Sequence, residues 1–187
     1  MNTKTKKLST VSMVLCGMFA ALVAIGAFIQ IPVPYVDYFT LQFFFVLLAG
    51  LILGADKGAI SVGCYVLLGL VGVPIFAAGG GIGYIFRPSF GYLVGFIVSA
   101  YVTGKVCEKL KASYKNYLLA CLAGFVVTYA IGIVYKFIIL NFYAHTPATL
   151  GVIFLSCFPL DMPGDFVLCL LAAGVGLRMR KSGFYLS

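Results

Sequence analysis

Residues 74–95 read PIFAAGGGIGYIFRPSFGYLVG, a glycine-broken stretch between two apolar runs that each read as a membrane span. The stretch is too polar and too interrupted to be an ordinary span itself. Gly79, Gly80, Gly81 and Gly83 have no Cβ, which lets backbone turn sharply or approach a ligand closely. Arg87 follows, held beside Pro88. Within hydrocarbon, irregular backbone is tolerated only where protein buries it or where it lines a cavity, and an arginine at that depth marks a functional site. These residues predict a loop that dips into a helical bundle and roofs a pocket; the alternative is an extramembrane loop with one solvated arginine.

Working outward, the composition supports the membrane reading. The 187 residues are 63% hydrophobic and 10% charged, with a mean hydropathy of +1.11, too little polar surface to cover a soluble globule. The expected class is an all-α integral membrane protein, a single domain over residues 1–187 with room for about five to seven helices. A net charge of +8 would point to nucleic acid in a soluble protein. Here the cations lie in short segments between apolar runs and read as topology determinants, so the lipid bilayer is the expected partner and nucleic acid is not. The six cysteines form no C-x-x-C pair and read as buried thiols, with neither a metal nor a disulfide expected. The N-terminal MNTKTKKLST leads into an apolar run without a small-residue cleavage site, which reads as a retained first span.

Six spans are predicted, over approximately 8–29, 39–54, 58–73, 88–106, 117–141 and 164–178. The first carries small residues at four-residue spacing, Gly17 with Ala21 and Ala20 with Ala24; such faces let another helix approach closely, from this chain or from a partner. QIPVPYVD, residues 30–37, reads as an extended outer connection because its prolines remove donors and push their predecessors out of the α region. The second and third spans are each about 24 Å long, less than the ~30 Å hydrocarbon core. They read as a hairpin turning at Ala55-Asp56-Lys57, with Gly50, Gly54 and Gly58 allowing close packing. Their shortness leaves space for residues 74–90 to dip inward.

With both termini on one side, that side holds every Lys and Arg except Arg87 and Lys136, and the positive-inside rule makes it cytoplasmic. Asp37, Arg87, Lys136, His145, Asp161 and Asp165 then fall at the outer side. Arg87 and Lys136 are on the wrong side to be topology signals, so a polar pocket open to the exterior is the economical account. Arg87 and Asp165 either line that pocket or pair with each other. Lys136 either reaches it or snorkels to the interface, and His145 and Asp161 read as solvent-facing. No G-x-x-x-x-G-K-[ST] is present, and neither a metal cluster nor a nucleophile–base arrangement can be assembled, so an enzyme is not expected. What remains is small-molecule recognition. Aromatics (Tyr35, Tyr38, Phe76, Tyr84, Phe86, Phe90, Tyr92) offer an apolar body, Gln42 an amide, the glycines close approach, and a cation meets a carboxylate.

At this point the residues resemble a family. The run 32–96, with Thr40-Leu41-Gln42, Leu48-Ala49-Gly50, Gly72-Val73-Pro74-Ile75-Phe76-Ala77, Pro88-Ser89 and Gly91-Tyr92, resembles the biotin-specific S component (BioY) of energy-coupling factor (ECF) transporters. PGDFVLCLLAA, residues 163–173, resembles that family's final-helix motif, and the likeness covers essentially the whole chain. The resemblance implies a six-helix bacterial membrane protein with no cofactor of its own, which captures biotin in an outward pocket. It implies partners: a membrane coupling protein (T component) docking on the first-helix face of Gly17 and Ala21, and two cytoplasmic ATPases; the small-residue spacing adds Ala20 and Ala24 to the expected docking set. The expected substrate-binding set is Tyr38, Thr40, Gln42, Gly79, Gly80, Gly81, Tyr84, Arg87, Tyr92, Lys136 and Asp165. Arg87 and Leu168 stand where the family usually has a glycine and a lysine, so either Arg87 or Lys136 supplies that charge or the pocket takes a different acid such as lipoate. A self-sufficient ion-coupled carrier is the alternative from another class; it would be favoured by an inverted repeat, and no convincing repeat is seen.

Overall fold

The computed structural model describes residues 9–31, 39–157 and 161–183. Tyr35, Asp37 and Tyr38, and the start of the first predicted span, lie outside them. Seven helices are described: α1 (Thr10–Phe28), α2 (Gln42–Leu53), α3 (Ala55–Val71), α4 (Phe90–Lys109), α5 (Tyr114–Ile138), α6 (Leu150–Cys157) and α7 (Asp161–Lys181). Each predicted span corresponds to one of them, and α6 is an additional short helix in a segment whose prolines read as breaks. A two-stranded ribbon, β1 (Gln30–Ile31) with β2 (Phe39–Thr40), pairs Gln30 with Thr40 antiparallel, so the two described ends of the outer connection are strand-paired. A 3₁₀ segment covers Ile82–Phe86, and α5 runs on into a π-helical turn, Ile139–Tyr143.

The organising helix is α2. Among its 12 residues all but Phe44 and Phe45 are buried, and it touches α1, α3, α4, α5 and α7. A helix apolar on every side belongs in the centre of a bundle, and at about 18 Å it is too short to span lipid alone. By contrast α1, α4, α7 and the α5–π stretch are each long and apolar enough to cross a membrane. The close crossings fall at glycines. A Cβ on Gly50 would run into the Ala100 carbonyl of α4, and one on Gly104 into the Gly54–Ala55 backbone, so α2, α3 and α4 meet almost backbone to backbone.

The α2–α3 turn is tighter than expected. Gly54 alone makes it, with φ 81° and ψ −178°, a region only glycine enters freely. Ala55, Asp56 and Lys57 therefore belong to the first turn of α3. Glu108 near the end of α4 accepts the Ala55 N–H at 2.9 Å and pairs with Lys105 at 3.5 Å, closing this end with charge where a helix N-terminus favours an anion. Lys57, the α4–α5 lysines, Arg178, Arg180 and Lys181 all lie at this same end, because α3 starts here and α4 and α7 finish here. Of the cysteines, Cys64 is exposed on α3 rather than buried, and the other five are buried.

Candidate functional site

At the opposite end the helices splay around a cavity of about 390 Å³, within the ~300–1,000 Å³ usual for small-molecule sites. Thr40 of β2 and Gln42 and Phe43 of α2 form one side, and Tyr92, Leu93 and Phe96 of α4 another. Tyr129 and Lys136 come from α5, and Asp161 and Asp165 from the first turns of α7. Ala77, Ala78, Tyr84, Arg87 and Ser89 come from the glycine-rich segment, which forms the expected roof.

The roof is held by main-chain bonds and one plug. Phe76 and Gly79 exchange N–H and C=O at 2.8 and 3.1 Å, and Gly81 N–H donates to Gly69 O at 2.7 Å. Between them Phe76 turns down into the core, 1% exposed, against the rings of Tyr65 (5.5 Å) and Tyr84 (4.6 Å). Two side chains tie the roof to the bundle: Gln30 Nε2 donates to Ala77 O at 2.7 Å and the Tyr135 hydroxyl to Ile85 O at 2.5 Å. Successive turn bonds at Tyr84, Arg87 and Phe90 then carry the chain into α4.

The four glycines serve this loop in different ways, and none of them is wall. Gly79 and Gly81 have φ of 111° and 101°. A Cβ on Gly80 would strike the Val73 carbonyl, whereas Gly83 has open space and an ordinary φ. Gly79, Gly80 and Gly81, expected to contact ligand, are not among the residues lining the cavity: they shape the roof, and Ala77 and Ala78 are the lining residues. Among the aromatics, Phe76 and Phe90 are core and Phe86 is exposed, stacked on Tyr143 at 4.8 Å. Tyr84 and Tyr92 do line the cavity.

The charges are arranged differently from a direct Arg87–Asp165 pair. Asp165 Oδ2 accepts the Tyr129 hydroxyl at 2.7 Å. The Arg87 guanidinium lies over the Tyr84 ring, 5.3 Å from its centroid, a cation–π contact that keeps its N–H groups available for an anion. Lys136 does not snorkel away; it lines the cavity and donates to Ser156 Oγ of α6 at 3.3 Å. Asp161, expected to face solvent, lines the cavity too, while His145 is exposed as expected. An aromatic wall completes the site: Tyr92 packs on Tyr129 at 5.8 Å, Tyr129 on Phe125 at 4.7 Å, and Phe43 on Phe96 at 5.8 Å. The cavity thus offers cations, carboxylates and an amide around an apolar body.

Thr40, Gln42, Tyr84, Arg87, Tyr92, Lys136 and Asp165 were readable as lining residues. Tyr129, Asp161, Ser89, Phe39, Phe43, Leu93 and Phe96 were not. Helical spacing held a usable signal, since Tyr129 lies about two turns before Lys136 on one face of α5, and Asp161 one turn before Asp165.

This arrangement is the fold of a transporter S component. It matches a crystal structure of the S-component for biotin from an ECF-type ABC transporter with a TM-score of 0.73, over 99% of this chain and 97% of the other at 23% identity. A profile of the BioY family matches residues 1–183. Relatives include the probable biotin transporter BioY of Lysinibacillus sphaericus, 40% identical over 177 residues, 94% of this chain and 90% of that protein. The biotin transporter BioY of Thermotoga maritima is 40% identical over 169 residues, 88% of this chain and 93% of the relative. The chain belongs to the BioY family and is a multi-pass membrane protein.

Proposed function

We propose that this chain is the substrate-capturing subunit of an ECF-type transporter and that its cargo is biotin. The observation that carries the reading is one cavity at one end of the bundle, with Arg87 and Lys136 for a carboxylate and Gln42 and Asp165 as acceptors for a polar ring, in a family whose relatives are named biotin transporters. The aromatic wall would hold the apolar chain between the two ends. A carboxylate against Arg87 gains a charge-assisted hydrogen bond while cation–π contact with Tyr84 keeps the guanidinium in place. Biotin is cargo here, not cofactor.

Orientation follows from charge. Among the described residues, the cations other than Arg87 and Lys136 gather at the end remote from the cavity, which supports a cytoplasmic location for that end and for both termini, and a cavity open to the exterior. The chain has no nucleotide loop, so its energy is borrowed: a membrane coupling protein and two cytoplasmic ATPases would supply it. On α1, Gly17 and Ala21 face outward among Val14, Met18 and Ile25, and would meet the coupling protein. Ala20 is 7% exposed, buried in this chain's own packing, and Ala24 is half-buried. Ala20 therefore packs within this chain, and Ala24 keeps part of its surface open to a partner.

The case for lipoate rested partly on Leu168 softening the pocket, but Leu168 is core and does not line it. Native mass spectrometry of the purified chain, followed by competition between biotin, lipoate and a plain medium-chain acid, tests the assignment. Biotin should co-purify and outcompete both; lipoate outcompeting biotin refutes it.

A further inference from the structure

A side-chain amide presents a donor at one end and an acceptor at the other, and the end that faces a ligand dictates what the ligand must bring. Gln42, 4% exposed at the start of α2, has its amide nitrogen 2.6 Å from the Tyr65 hydroxyl. Tyr65 is fully buried in α3, and the same hydroxyl lies 3.1 Å from the carbonyl oxygen of Ile75 in the roof. A phenol has one proton, and a backbone carbonyl can only accept. That proton is therefore committed to Ile75, the phenol oxygen becomes an acceptor, and the Gln42 atom facing it must be the NH₂ group. A flipped amide would take the one available proton from Ile75 and leave that carbonyl without this donor. Only the unflipped amide satisfies all three groups of the chain Gln42 to Tyr65 to Ile75, which is the ground for assigning the flip. Among the described residues no donor meets Gln42 Oε1, and Gln42 lines the cavity.

We propose that Tyr65, which does not itself line the cavity, is a positioning residue that locks the Gln42 amide with its carbonyl oxygen toward the ligand, so that this wall selects a head group bearing an N–H donor. The Asp165 carboxylate, also a cavity acceptor, reinforces that demand. Because the last link is a carbonyl of the roof, the selection operates while the roof is seated. The inference rests on the proposed function and sharpens it. The cyclic urea of biotin brings N–H donors, whereas the dithiolane of lipoate, on a similar carboxylate chain, brings none.

The test is equilibrium titration of biotin and lipoate into the purified full chain and into Tyr65→Phe, Gln42→Leu and the double variant. Wild type should prefer biotin by at least about tenfold. Tyr65→Phe, nearly isosteric, should cut that preference roughly three- to tenfold by weakening biotin alone, and Gln42→Leu should cut it at least as far. Since Tyr65 acts through Gln42, the double variant should lose little beyond Gln42→Leu. Equal weakening of both acids by Tyr65→Phe, or losses that multiply in the double variant, would overturn the positioning role while leaving biotin capture standing. A wild-type chain that binds neither acid, or prefers lipoate, overturns the proposed function and this inference together.

Discussion

Replacing each of the four roof glycines by alanine, one at a time, separates three physical situations within five residues. At Gly79 and Gly81 the φ values of 111° and 101° place a Cβ against its own backbone, costing about 1–3 kcal/mol each. At Gly80 the obstacle is another strand of chain, the Val73 carbonyl with Gly69 O behind it; neither swings aside as a side chain would, so overpacking costs about 1–3 kcal/mol. Gly83 has nothing within 4 Å and lies in the 3₁₀ segment at ordinary φ. Alanine there should be neutral, or stabilising by about 0.4–1 kcal/mol through the unfolded chain. At about 2–4 °C per kcal/mol for a chain of this size, thermal unfolding in detergent should show a drop of several degrees for the first three and no drop for Gly83→Ala. Biotin affinity should fall in the same three, since Ala77, Ala78 and Arg87 hang from this loop. A Gly83→Ala variant as damaged as Gly80→Ala, or a silent Gly80→Ala, would refute this account of the roof.

Three further outcomes are expected. Tyr129→Phe removes the 2.7 Å bond that holds Asp165 in place, worth about 0.5–1.5 kcal/mol, and should weaken biotin binding roughly two- to tenfold in calorimetry while circular dichroism is unchanged. Thr128 is 0% exposed and its hydroxyl has no partner among the described residues, so Thr128→Val should raise the unfolding temperature by relieving about 1–3 kcal/mol of unmet desolvation. Gly17→Leu should keep biotin binding yet abolish ATP-dependent uptake in liposomes that also hold the coupling protein and ATPases, whereas Ala20→Leu should lower thermal stability, because the one residue faces out and the other in. Accumulation against a gradient by the chain alone would favour an ion-coupled carrier.

The spans were legible because apolar run length and displaced cations follow from the bilayer itself, whatever the neighbours. The ribbon was not, since pairing Gln30 with Thr40 depends on residues far apart in sequence, and prolines announce only extended backbone. The π turn at 139–143 was also hidden: Asn141 Nδ2 satisfies Phe137 O at 3.0 Å and Ala148 O at 2.9 Å, a local solution with no periodic signature. Within the site, Arg87, Lys136 and Asp165 stood out because a charge among apolar residues demands a reason. Tyr129 and Phe96 did not, in a chain with 12 Tyr and 17 Phe, where an aromatic on a helix is ordinarily core. The glycine cluster marked the roof correctly, but which glycine serves φ and which serves contact depends on backbone angles that composition does not encode.

As proposed above, biotin would sit between Arg87 and Asp165 in the cavity under that roof. Isothermal titration of biotin into purified wild type, Arg87→Ala and Asp165→Asn tests it most directly. Wild type should bind one biotin per chain, and each variant, still folded, should bind at least about tenfold more weakly, roughly 1.4 kcal/mol or more. Unchanged affinity in both variants would contradict the account and move the site elsewhere.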